Sequence, residues 1–118
     1  GELRAGEWNI RCREERYSGR PQGQWEFWLD RAWVPALTLR SRRTGDRLKL
    51  PGRPTKTVKK WCVDLKIPAY LRDSLPVLAL EDRAAAVGGL GPDIGSLPGP
   101  GERAWHIRIF PAENFPRG

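Results

Sequence analysis

Eleven of the chain's 21 lysines and arginines fall in one interval: Arg40, Arg42, Arg43, Arg47, Lys49, Arg53, Lys56, Lys59, Lys60, Lys66 and Arg72. Only Asp46 and Asp64, of 14 acidic residues, share it. The segment therefore carries a local charge of +9 in a chain of net +7, and the remainder is slightly acidic. The chemistry open to such a block is the binding of a polyanion. Leucine, valine and tryptophan recur through it at regular spacing, so it can fold rather than persist as a disordered basic tail.

Other residues that could do chemistry form no constellation. His106 is the chain's one histidine and falls on the polar side of an alternating strand, the place of a solvated or hydrogen-bonded imidazole. Cys62 lies on an apolar helical stripe, where a free thiol behaves as a small hydrophobe. Cys12 alternates with Trp8 and Ile10 in the same sense. The Gly88-Gly89-Leu90-Gly91 loop is followed by Pro92 and by no lysine-serine/threonine pair, so it reads as a turn rather than a phosphate cradle. The acid pairs Glu14-Glu15 and Glu81-Asp82 are sequence neighbours in expected turns and make no general acid/base dyad. No catalytic residue and no metal ligand set is assigned.

The elements that must position the basic block can be read from periodicity. Trp8, Ile10 and Cys12 alternate with Asn9, Arg11 and Arg13, and Trp25, Phe27 and Leu29 alternate with Glu26, Trp28 and Asp30. Both are half-buried strand patterns joined by a Gly/Pro loop around 18–23. Trp28 falls on the charged side, where it either lies flat on the sheet or faces a part of a longer protein. Leu37 and Leu39, then Leu48 and Leu50 beyond Thr44-Gly45-Asp46, predict a hairpin. Its leucines share one face, and Arg40, Arg47 and Lys49, with Arg42, line the other. Asp46 is expected to orient a neighbouring arginine or close the turn.

Gly52-Arg53-Pro54 breaks the chain, and Thr55 can cap a helix running to about Lys66. Val58, Trp61, Cys62 and Leu65 form its apolar stripe. Lys56, Lys59 and Lys60 sit in its first turns, where each opposes the macrodipole by about 0.3–1 kcal/mol at low salt. A docked anion would offset that cost. Pro68 starts a short second helix to about Ser74 that carries Arg72. Strands are expected over Val77–Leu80 and Ala84–Val87, a linker over Gly95–Gly101, and a last strand through Trp105, Ile107 and Ile109 with His106 and Arg108 facing away.

At 118 residues, 39% hydrophobic and with six tryptophans, the chain suits one modest domain. No apolar run approaches the roughly 18–20 residues needed to cross a bilayer. Two distant cysteines announce neither a disulfide framework nor a metal site, so a reduced, cytoplasmic setting is expected. The absence of methionine suggests a piece of something longer.

The runs Leu39-Arg40-Ser41-Arg42-Arg43-Thr44-Gly45-Asp46-Arg47, Val58-Lys59-Lys60-Trp61, Asp64-Leu65-Lys66-Ile67-Pro68, Arg72 and Leu75-Pro76-Val77-Leu78 together resemble the C-terminal domain of bacterial tRNA(Ile)-lysidine synthetases. Order and spacing match from about Leu37 to Asp93. The family usually carries Leu and Phe where this chain has Trp61 and Cys62, and Glu where it has Asp64, swaps that keep each position's character. Residues before about Trp25 and after about Pro98 match poorly. The resemblance implies a parent enzyme that uses ATP and Mg to join lysine to the wobble cytidine of an isoleucine tRNA. Its Ser-Gly-Gly-x-Asp-Ser loop has no counterpart in these residues. The chain would then be a catalytically silent, cofactor-free module holding the tRNA body around the acceptor stem, beside a separate catalytic domain.

The resulting expectations are specific. The fold is α+β, an antiparallel β-sheet with one main helix packed on one face and a short second helix. Residues 1–36 are a β lead-in, 37–97 the module, and 98–118 a linker and terminal strand. The tRNA-binding residues are Arg40, Arg42, Arg43, Arg47, Lys49, Lys56, Lys59, Lys60, Lys66 and Arg72. The alternative is an architectural module docking on the catalytic part of the parent. Exposed Trp28 or Trp33 could drive self-association.

Overall fold

A computed structural model of the chain describes residues 1–32 and 36–112, the side chain of Ala5 aside. Trp33 lies outside the described residues. Strands dominate: β1 Glu2–Ala5, β2 Trp8–Arg16, β3 Glu26–Asp30, β4 Leu37–Arg40, β5 Arg47–Lys49, β6 Thr55–Thr57, β7 Val77–Leu80, β8 Arg83–Val87, β9 Gly91–Pro92 and β10 Arg103–Pro111. Helix α1 spans Val58–Asp64 and α2 spans Ala69–Arg72.

All pairings are antiparallel, in three sheets of order β1-β2-β10-β3, β4-β7-β8-β9 and β5-β6. In the first, Ile107 of β10 faces Cys12 of β2 and Phe27 of β3. The alternation of Trp8, Ile10, Phe27, Leu29, Ile107 and Ile109 buries one face, as a period of two requires. In the second, β7 and β8 are apolar on both faces because each is covered on both sides. One core joins both sheets with Leu48, Val58, Trp61, Cys62 and Leu75.

The expected α+β layout, with a main helix packed on a sheet face, does not form. Strands make up 44% of the described residues, and the α-helices are two short pieces of seven and four residues. Thr55–Thr57, placed by periodicity at the helix start, instead pairs with β5, Leu48 opposite Lys56 and Arg47 opposite Thr57. Two threonines on a strand edge are β-formers. The cap moves accordingly, since Thr57 rather than Thr55 accepts from the Lys60 N–H. At the other end Lys66 takes φ 56°, its N–H donating to Val63 C=O while Ile67 N–H donates to Cys62 C=O. That left-handed closure stops α1 after two turns.

The hairpin expected between Leu37–Arg40 and Arg47–Leu50 is also absent. β4 pairs with β7, Leu39 opposite Leu78, and β5 pairs with β6. The wholly apolar β7 offers β4 a buried partner that the charged β5 cannot. The chain from Ser41 to Asp46 is therefore a crossing between sheets, turning at Gly45 with φ 91°.

Trp28 is not exposed. It is covered on the outer face of its sheet by Tyr17 and His106, stacking on the imidazole at 4.4 Å and 4°, and its indole N–H donates to Glu15 at 3.0 Å. The Gly/Pro stretch 95–101 is held at both ends, by Ser96 Oγ donating to Ala85 C=O and by Gly101 N–H donating to Tyr17 C=O.

Candidate nucleic-acid interface

The crossing loop is organised by one ion pair. Arg40 donates both terminal guanidinium nitrogens to the two oxygens of Asp46, each at 2.8 Å, and both side chains are nearly buried. The same carboxylate accepts from the Arg43 backbone N–H at 2.8 Å, and Asp46 N–H returns to Arg43 C=O. Asp46 thus orients an arginine and closes the turn at once. The fork holds its carboxyl below the ordinary aspartate range, and Arg40 is pushed up in turn. Arg40 Nε is buried without a partner. No exposed charge is left on this arginine to offer a ligand.

The loop so closed forms one wall of a cleft of about 640 Å³, lined by Ser41–Asp46, Thr57, Lys59 and Asp73. Arg42, Arg43 and Lys59 are brought together there from the loop and from α1. Arg42 is held by Asp73 at 2.6 Å, whose carboxylate is almost fully exposed. Arg43 stands 4.0 Å from Asp82, another exposed carboxylate. Lys59 has no ion-pair partner among the described residues. Exposed pairs of this kind are worth about 0–1 kcal/mol, so an incoming phosphate can compete for these cations.

The remaining candidates divide by what they touch. Arg47 is exposed on β5 and lines a second cleft with Glu81 and Asp82. Lys49 reaches the Arg53 carbonyl at 2.6 Å. Lys56 bridges to Asp64 at 2.5 Å and lies 4.5 Å from the centre of the Trp61 ring, with Arg53 at 5.3 Å from the same ring. Asp64 is held below its ordinary range, by Lys56 first, and Lys60 approaches it at 3.8 Å. Lys66 is exposed at the end of α1. Arg72 Nε donates to Ile67 C=O, clamping the connection between the helices. Arg40 and Arg72 are thus committed to the fold, whereas the cleft gathers Arg42, Arg43 and Lys59.

The sequence reading missed Thr44, Thr57 and Asp73 as cleft residues. Asp73 lies 31 positions from Arg42, and no local signal could pair them. The first sheet is different in character, because several of its charged side chains pair with acids on neighbouring strands. Arg103 bonds Glu14 at 2.7 Å, Arg11 reaches Glu2, and His106 spans Glu15 and Glu26 at 3.1 and 2.7 Å. Both thiols are free, and burial pushes both upward.

Comparison with known proteins agrees with this architecture. Residues 37–109 match the family model described as the TilS substrate C-terminal domain. A tRNA(Ile)-lysidine synthase of Symbiobacterium thermophilum is 40% identical over 81 residues, 67% of this chain and 17% of that protein. Those of Ralstonia nicotianae and Pseudomonas aeruginosa are 38% and 35% identical, over 64% and 70% of this chain and 16% and 18% of their own lengths. The chain therefore spans less than a fifth of each relative. A solved structure described as the crystal structure of a TilS C-terminal domain superposes with TM-score 0.74 at 30% identity, covering 98% of this chain and 92% of that one. With the match extending over more than half its residues, this chain belongs to the TilS substrate C-terminal domain family.

Proposed function

We propose that this chain is a non-catalytic RNA-holding module of a tRNA(Ile)-lysidine synthase, gripping the sugar-phosphate backbone of the tRNA body. The observation that carries the reading is the convergence of Arg42, Arg43 and Lys59 on one cleft, whose two carboxylates are Asp46, taken up by Arg40, and the exposed, weakly competing Asp73. A-form RNA hides its base edges in a deep, narrow groove, so a surface of this kind reads phosphate spacing and shape. Threonine hydroxyls of Thr44 and Thr57 in the same cleft add uncharged donors suited to phosphate oxygens. On this reading the acceptor stem is the part held, ATP and Mg belong to the catalytic portion of the parent, and the setting is cytoplasmic.

Filter binding of tRNA to the chain over a salt series tests it. Arg43→Glu with Lys59→Glu should abolish measurable binding at moderate salt. The corresponding double glutamine variant should flatten the log–log salt slope by about 2, one counterion per lost phosphate contact. Unchanged tRNA binding by the glutamate variant, with the fold intact by circular dichroism, would refute the proposal. Salt-sensitive association with the catalytic portion in the absence of any tRNA affinity would instead favour an architectural role.

A further inference from the structure

Two large apolar side chains stand out in the helical region by their exposure, Tyr70 at 65% and Val63 at 49%. Tyr70 makes no hydrogen bond or ring contact with the described residues. Val63 belongs to α1, which lines the cationic cleft through Lys59, and Tyr70 to α2, whose C-cap Asp73 reaches the cleft. Val63 lies four residues after Lys59 on α1, and Tyr70 lies three residues before Asp73, the C-cap of α2. Residues so spaced share a helix face. An exposed aromatic ring thus stands one helical turn from Asp73 at the rim of the cleft, and Lys66 is exposed in the connection between the two helices.

An aromatic face beside a phosphate-binding groove is the combination by which proteins hold unpaired nucleotides, since every base has a π-face while only the backbone carries charge. Resting on the RNA-holding reading above, we infer that Tyr70 is a stacking platform for an unpaired nucleotide of the RNA whose phosphates occupy the Arg42–Arg43–Lys59 cleft. The occupant is RNA rather than an apolar protein surface because cations stand near Tyr70 on both sides in the chain: Lys66 is exposed in the connection before α2, and Arg42 bonds Asp73 just after it.

The test uses the 118-residue chain with two RNAs: a blunt duplex, and the same duplex bearing a short single-stranded 3′ extension that contains 2-aminopurine. The wild-type chain should prefer the extended RNA by about tenfold, the value of one stacked base, with the fluorescence of the probe quenched. Tyr70→Ala should erase both the preference and the quenching while leaving blunt-duplex affinity unchanged. Tyr70→Phe should retain both. A Tyr70→Ala chain that keeps the preference, or that loses affinity for the two RNAs equally, overturns the inference. So does one that binds both RNAs normally yet loses association with the catalytic portion, an outcome that assigns the patch to a protein contact. Failure of the underlying reading looks different: Arg43→Glu with Lys59→Glu would leave blunt-duplex binding intact.

Discussion

The Arg40–Asp46 fork is the interaction on which the crossing loop depends, and Asp46→Asn probes it with little change of shape. Asparagine keeps an oxygen for the Arg43 N–H but removes the charge opposite a guanidinium that is 11% exposed. Breaking a buried pair from one side costs about 3–5 kcal/mol, because the other charge is left uncompensated. We take ~3 kcal/mol here, since Arg40 also donates to Ser41 C=O near the surface. For a domain of this size that corresponds to a melting temperature lower by ~10 °C. Acid should report the same pair. The carboxyl is depressed in the folded state, so its contribution is complete above the unfolded aspartate value of about 3.9 and is lost as pH falls through the folded value. The gap between wild type and Asp46→Asn should therefore narrow only below about pH 4. Thermal melts followed by tryptophan fluorescence, repeated for Arg40→Met and for the double variant, close a thermodynamic cycle. The double should lose at least ~2 kcal/mol less than the sum of the singles, since it leaves no unpaired charge and removes the partnerless Nε. Additive losses would refute the account, as would an Asp46→Asn melt within a degree or two of wild type.

Asp73→Asn frees Arg42 from its exposed partner and should tighten tRNA binding and steepen its salt dependence, read in the same filter assay. Lys66→Gly relieves a left-handed backbone at φ 56° and should raise stability by ~1 kcal/mol in urea titrations. Gly88→Ala should destabilise by ~1–3 kcal/mol, because its Cβ would meet Pro76 Cγ at 2.8 Å and Ile109 Cδ1 at 3.0 Å. Cys62, fully buried and with its thiol pushed upward, should resist alkylation until the protein unfolds, while half-buried Cys12 reacts earlier; mass spectrometry after brief labelling distinguishes the two.

What could be read from sequence was whatever period decides locally. β2, β3, β4, β7, β8 and the last strand announce themselves by apolar alternation or by short apolar runs, and each forms within a few residues of its expected bounds. The hairpin failed as a choice of partner, and the helix start as a choice of element. Leu48 and Leu50 alternate as convincingly as Leu37 and Leu39, but alternation names a buried face and not the strand beside it. The pairing β4-β7 was hidden because it joins residues some forty positions apart, whereas the Gly45 turn offered a nearer solution. Thr55 misled for a related reason, since a threonine before an apolar helical stripe serves equally as a cap and as the end of a β-ribbon. Trp28 was placed on the polar face correctly and still came out buried, because Tyr17 and the His106 ring close over it from distant parts of the chain.

The basic block shows why charge counts alone cannot locate a binding surface. Within the window the cations meet only Asp46 and Asp64, yet the fold brings in Asp73 and Asp82 from outside it. What separates these four carboxylates is burial. Asp46 is shielded, accepts three hydrogen bonds and holds Arg40 against any competitor. Asp73 and Asp82 are exposed, so water and salt weaken their hold, and a phosphate offering several acceptor oxygens can displace either. Arg42 and Arg43 are therefore paired with partners weak enough to surrender them, beside a Lys59 that has no acid to leave among the described residues. The same sequence motif, Arg-Ser-Arg-Arg-Thr-Gly-Asp, thus supplies one arginine that builds the loop and two that the loop presents.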